Sequence, residues 1–165
     1  MLTESTERPV SFKAGGLFFE SGRATISGMA ERATVFFYGL FMDPEALQER
    51  GLRPCDPRRA HVDRVALRLG KRATLVPHPE GRVYGVLMTL MHSEIDRLYS
   101  EASVAAYRPE PVLAQLEDGT AEVALCFNLP TAPDGATTNQ EYAAALQSVA
   151  RKVGLPEHYA AGLSG

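Results

Sequence analysis

Along this chain the apolar residues fall into short runs, and the spacing within each run marks where one element gives way to the next. Ala33 to Tyr38 is rich in β-branched and aromatic residues and predicts a strand. It stops at Gly39, and helix-start signals follow at once: Asp43 as N-cap, Pro44 in the first turn, then EALQERG closing at Gly51. The turn Gly39-Leu40-Phe41-Met42 is therefore tight. A glycine there lets the backbone come close to another group, and amides between a strand end and a helix start can face an anion or a polarised carbonyl.

Further on, HVDRVALRLG places Val65, Leu67 and Leu69 opposite Arg64, Ala66 and Arg68, the alternation of a strand. RATLVP (72–77) predicts a short partner strand, PHPEG a turn, and GRVYGVLMTL (81–90) a strand buried on both faces. Ser93 as N-cap, with Asp96 three residues on and Ile95, Leu98 and Tyr99 on one side, predicts a short helix over 93–101. PVLAQLEDGTAEVALCF predicts a hairpin reversing at Asp118-Gly119. Thr138 and Glu141 have capping-box spacing, and Tyr142, Leu146, Val149 and Val153 share a helical face until Gly154 and Pro156 end it.

Strand runs outnumber helices and tight antiparallel turns join several of them. The fold class expected is α+β, a mixed, mostly antiparallel sheet curled into a small β-barrel with helices around it, rather than a doubly wound parallel sheet. There is no GxGxxG or Walker P-loop to support a nucleotide fold. Residues 1–32 read separately. GLFFESGRATIS fits a hairpin about Ser21-Gly22 or a flexible arm, and Met29 also allows the first 28 residues to be an upstream extension of the reading frame. The division expected is an N-terminal extension, 1–32, and one domain, 33–165.

Composition narrows the function. With 165 residues, 45% of them hydrophobic, the chain can bury one full core. A net charge of -3, a pI near 5.8 and 17 scattered basic residues argue against nucleic acid as a partner. Cys55 and Cys126 form no CxxC pair, and His61, His78, His92 and His158 show no metal-ligand spacing, so reduced thiols and no metal are expected. No apolar run approaches the roughly 20 residues of a membrane span, and the polar, partly acidic N-terminus does not read as a signal peptide. These features predict a cytoplasmic protein with no membrane partner. A homodimer is compatible with them but not indicated.

Three segments together carry more information than any one of them: Tyr38-Gly39-Leu40-Phe41-Met42 at a strand end, GRVYGVLMTL, and EIDRLYSEASVAAYRPEPV at 94–112. Their order and spacing resemble the gamma-glutamylcyclotransferase-like superfamily, including its AIG2-like branch. There a YGS-type turn, a "V-x-G-x-L/V-Y" strand and an acidic residue followed by a tyrosine line one cavity. NQEYAAALQSVARKVGLPEHYAAGL resembles the terminal helix and "GLP-x-x-Y" ending of the same group, so the resemblance spans about 33–163. Leu40 stands where the family commonly has Ser. Ser100-Glu101-Ala102 stands where many members have "E-G", and a slip of one or two residues would put Tyr99 or Ser100 at the catalytic position.

What the resemblance implies is a cofactor-free ring closure. The α-amine of a γ-glutamyl amine or amino acid attacks its own γ-carbonyl, releasing 5-oxoproline and the amine or amino acid. One carboxylate would take the proton from the amine and return it to the leaving nitrogen, and a partly buried Glu101 is the expected base. The amides of Gly39, Leu40 and Phe41 would hold the oxyanion or the α-carboxylate, with Tyr38 and Tyr107 beside the substrate and Arg108 able to attract a carboxylate. Each residue also has a plainer reading: Glu101 as a solvated residue at a helix end, the tyrosines as core aromatics, Gly39 as a turn glycine. The alternative at the level of function is a non-catalytic protein that binds a small acidic metabolite in the same cavity.

Overall fold

The switch from strand to helix near Gly39 is reproduced in the computed structural model, which describes residues 31–133 and 139–163. Strand β1 (Arg32–Phe37) runs into a 3-10 turn (Leu40–Met42) and helix α1 (Pro44–Gln48), where the Asp43 carboxylate accepts the Glu45 N–H at 3.0 Å. Then follow β2 (Cys55–Leu69), β3 (Ala73–Met91), α2 (His92–Leu98), β4 (Arg108–Leu116), β5 (Ala121–Asn128), α3 (Gln140–Lys152) and α4 (Glu157–Gly162). The strands close into a barrel in the order β1-β3-β2-β4-β5. Neighbours pair antiparallel except β1 and β5, which run parallel and meet at Val35 and Leu125. This is the α+β barrel expected.

Alternation along β1 sorts its side chains into two cores. Phe36 and Tyr38 point into the barrel with Val62, Val83, Leu87 and Cys126, while Val35 and Phe37 point outward to Met42, Leu47, Leu98 and Leu146 beneath the helices. Strand β3 serves both: Val83 and Leu87 face inward, Val86, Met88 and Leu90 face the helices, which is why its sequence is nearly all apolar. Each such side chain, at most a few per cent exposed, contributes about 1.5–3 kcal/mol of burial. At Gly85 the strands press so close that a Cβ would lie 2.2 Å from the Phe37 carbonyl oxygen.

Several boundaries differ from those expected. PHPEG is not a turn: β3 continues through it, with Val65 opposite Pro77 and Asp63 opposite Arg82, so the extra residues bulge out across from Arg64. Arg64 takes φ 67, and a Cβ on Gly81 would sit 2.1 Å from the Val65 carbonyl oxygen. The cap of α2 is supplied by Glu94 rather than Ser93, because its longer carboxylate reaches two amides, Met91 N–H at 3.0 Å and Arg53 N–H at 2.7 Å. That helix ends at Leu98, not near Glu101. Asn139 caps α3 by accepting the Tyr142 N–H at 3.0 Å; Thr138 lies outside the described residues, as does the hairpin or arm read before residue 31. Beyond Gly154, at φ 84, the chain forms the additional helix α4. No described helix is long and apolar enough to cross a membrane.

Candidate functional site

The end of β1 opens on a cavity of about 430 Å³, within the range of small-molecule sites. Tyr38, Gly39, Leu40 and Phe41 enter it from β1 and the turn, Tyr99 from the end of α2, Tyr107 from the start of β4 and Tyr142 from α3. Arg50, Lys71 and Arg72 complete it on the solvent side. Barrel closure brings these together, since α1, the β2–β3 turn and α3 are far apart in sequence.

The tyrosines differ in what their hydroxyls do. Tyr38 is 5% exposed, and its hydroxyl lies 2.6 Å from the Phe127 carbonyl and 2.9 Å from Asn128 Oδ1, which also accepts the Leu75 N–H at 3.2 Å. Tyr107 donates to the Ala73 carbonyl. Tyr99 stacks on Phe127 at 3.9 Å with its ring nearly parallel, and meets Phe41 edge-on at 6.5 Å. Its hydroxyl makes no hydrogen bond to a described residue. Burial holds all three phenols well above the ordinary tyrosine range, so at neutral pH they donate and do not act as bases. Burial likewise pushes the Cys126 thiol, inside the barrel, up to about 12, which removes it as a nucleophile.

Gly39 owes its identity to Tyr142. Its φ of -106° is open to any residue, but an added Cβ would stand 3.1 Å from the Tyr142 hydroxyl oxygen. That hydroxyl, raised by burial, also faces the Leu40 amide, which partly offsets the rise through a contact looser than a regular hydrogen bond. The close approach inferred at Gly39 is thus made to the protein's own tyrosine. A ligand oxygen reaching the Leu40 amide would take the place of that hydroxyl.

Tyr38, Gly39, Leu40, Phe41 and Tyr107, the residues expected beside a substrate, all line the cavity. Glu101 does not. Its side chain is 41% exposed and its carboxylate lies 3.5 Å from Arg50 Nε, in the turns that follow α2. Ser100 turns back to cap α2, donating to the Arg97 carbonyl at 2.7 Å. Of the three positions that a slip in register allows, the one that faces the cavity is Tyr99. Arg108 donates to the Ala105 and Tyr107 carbonyls at 2.9 Å and stays outside. Arg50, Lys71, Arg72 and Tyr142 went unrecognised as site residues; in sequence they read as surface cations and one apolar position of a helix. Among the described residues, no Asp or Glu lines the cavity.

Two larger hollows carry less chemistry. One, about 800 Å³, is walled by charges already paired, with Lys152 Nζ 2.8 Å from Asp43 and 2.9 Å from Glu45. The other, about 730 Å³, lies beside Tyr84 and Tyr159 and is mainly apolar. Among the described residues no cluster of His, Cys, Asp and Glu is arranged to hold a metal.

Neither family models nor curated protein sequences give a match to the chain. Solved structures do. An uncharacterized protein from Homo sapiens is similar at TM-score 0.71 and 19% identity, covering 82% of this chain and 88% of that one. A gamma-glutamyl cyclotransferase is similar at TM-score 0.68 and 20% identity, covering 82% and 88%. YkqA from Bacillus subtilis, at TM-score 0.68 and 24% identity, covers 84% of this chain, which spans 55% of YkqA. At these identities the likeness is one of fold.

Proposed function

For a chain with the gamma-glutamylcyclotransferase-like fold, we propose a role in binding: the cavity at the end of β1 holds a small γ-glutamyl compound without closing its ring. The observation that carries this reading is the lining itself, which among the described residues offers phenol hydroxyls, the Gly39–Phe41 turn and three cations but no carboxylate. Ring closure requires a group that takes a proton from the α-ammonium and returns it to the leaving nitrogen. The cavity tyrosines are held protonated by burial. Glu101 is half-exposed and engaged by Arg50. What the cavity does supply is recognition of an anion. The ligand's α-carboxylate fits the Leu40 and Phe41 amides once the Tyr142 hydroxyl yields, and Tyr99 has a hydroxyl to donate.

A second reading, cyclotransferase catalysis, has one observation in its favour: a protein of the same fold bears that name, and the tyrosine-glycine turn is present here. It requires the Glu101 carboxylate to leave Arg50 and turn inward. One experiment separates the two. Wild type, Tyr99→Phe and Glu101→Gln are titrated calorimetrically with a panel of γ-glutamyl amino acids and amines, and 5-oxoproline release is followed in parallel. Binding without 5-oxoproline, weakened about five- to tenfold in Tyr99→Phe with unchanged thermal stability, is expected from loss of one hydrogen bond to a charged group. Turnover by wild type that falls at least about 100-fold in Glu101→Gln would replace binding with catalysis. No binding across the panel would refute both.

A further inference from the structure

This inference rests on the reading of the cavity as a γ-glutamyl site and concerns which γ-glutamyl compounds enter it. Arg50 is only partly committed. Its Nη1 donates to the Ala46 carbonyl at 3.3 Å, its Nε faces Glu101 at 3.5 Å, and its guanidinium carbon lies 4.8 Å above the centre of the Phe41 ring. A guanidinium has five N–H donors, so the Nη2 edge is left to a further acceptor. Lys71 and Arg72 line the same cavity and make no ion pair with a described carboxylate. Three positive charges thus line one small cavity, and the described carboxylate paired with one of them, Glu101, stands outside the lining.

The Arg50–Glu101 pair is the kind that is readily exchanged. The two side chains are 40% and 41% exposed, and ion pairs at such exposure contribute at most about a fivefold factor. The backbone keeps Glu101 close by, with the Val104 N–H bonded to its carbonyl at 3.0 Å. A ligand carboxylate arriving at the Nη2 edge would feel Arg50, Lys71 and Arg72 together, and would meet repulsion only from Glu101.

We propose that Glu101 is the resident counter-ion of Arg50, displaced by a carboxylate on the ligand's γ-amide substituent, so that the site selects γ-glutamyl amino acids over γ-glutamyl amines. Glu101 then works against binding, opposite to the effect of a catalytic base. The inner end of the cavity, with the Leu40 and Phe41 amides, takes the α-carboxylate common to both classes; the cationic side reads the second carboxylate.

The test uses the full chain and two probes of similar size that differ by that carboxylate, γ-glutamylalanine and γ-glutamylethylamide, titrated calorimetrically into wild type, Arg50→Gln and Glu101→Gln, with circular dichroism melts to verify folding. Wild type is expected to prefer γ-glutamylalanine by about tenfold, from one charge-assisted contact discounted for exposure. Arg50→Gln loses most of that preference. Glu101→Gln binds γ-glutamylalanine about two- to fivefold more tightly, since the competing pair is gone, and binds the ethylamide as before. Raising the salt from 0.1 to 1 M shortens the Debye length from about 10 to 3 Å and shrinks the preference. Equal affinity of wild type for both probes would overturn the inference and leave the site reading standing. Weaker binding of γ-glutamylalanine by folded Glu101→Gln would overturn it too, by giving Glu101 a direct role. Failure of both probes to bind would overturn the site reading and this inference with it.

Discussion

Replacing Gly39 by Ala tests how the turn is built. At φ -106° and ψ -154° alanine meets no backbone strain, and replacing glycine at a compatible position stabilises by about 0.4–1 kcal/mol through the unfolded chain. Against this stands the Tyr142 hydroxyl oxygen, 3.1 Å from the new methyl, which must give by a few tenths of an ångström. Moving it loosens the contact with the Leu40 amide, a loss of about 0.5–1.5 kcal/mol if counted as one modest hydrogen bond. The two effects nearly cancel, so Gly39→Ala in wild type should range from about 0.5 kcal/mol stabilising to about 1 kcal/mol destabilising. In a Tyr142→Phe background the obstacle is gone and the same change should stabilise by about 0.4–1 kcal/mol. Urea unfolding of the four proteins gives the coupling directly, expected near 1 kcal/mol, provided the slopes agree. An identical effect of Gly39→Ala in both backgrounds would refute the account of Gly39 as the residue that admits Tyr142.

Other consequences follow from the same contacts. Gly85→Ala should destabilise by about 3 kcal/mol or more, because the clash is with the Phe37 carbonyl at 2.2 Å and with the Phe36 ring at 2.9 Å, neither of which is free to move; a urea midpoint measures it. Asn128→Ala should cost about 1–3 kcal/mol, read the same way, since the buried Leu75 N–H loses its acceptor and Tyr38 one of its three. Tyr38, Tyr99, Tyr107, Tyr142 and Tyr159 are all raised, chiefly by burial. Raised folded values mean their contribution is complete below the unfolded pKa, near 10, and is lost as pH climbs from there toward the folded values, by up to about 1.4 kcal/mol per pH unit for each tyrosine. An absorbance titration should therefore show these five ionising together with unfolding; their ionisation near pH 10 in a still-folded protein would contradict the burial.

Local order was legible where one segment decides its own structure. The β1 strand, the Asp43-Pro44 helix start and the Asp118-Gly119 reversal depend on residues within a few positions, and each is present. PHPEG misled because a proline and glycine cluster marks a departure from regular pairing, and a bulge across from Arg64 satisfies that as well as a reversal does. Ser93 misled for a different reason: Glu94, one residue later, reaches both the Met91 and Arg53 amides, and Arg53 comes from a distant part of the chain. The tyrosine-glycine turn of the cavity was visible in the same way, from one contiguous motif. Its cations were not, because Arg50, Lys71 and Arg72 resemble any surface charge until the barrel closes.

The position of Glu101 is where local and global information part most clearly. Its motif invites the reading of a buried acid, and spacing alone permits a slip of one or two residues. Packing puts Tyr99, of the three positions, in the cavity wall. Tyr99 is flat and apolar enough to stack on Phe127 and fill the cavity wall, which turns Ser100 back toward Arg97 and leaves Glu101 to solvent and to Arg50. A carboxylate at Tyr99's place would have to lose its water beside an aromatic stack. The same stack that closes the wall therefore exchanges a proton acceptor for a proton donor. Under the proposed binding role a cavity so lined would hold an anion rather than relay a proton, and Glu101, paired with Arg50, would compete with that anion instead of reacting with it.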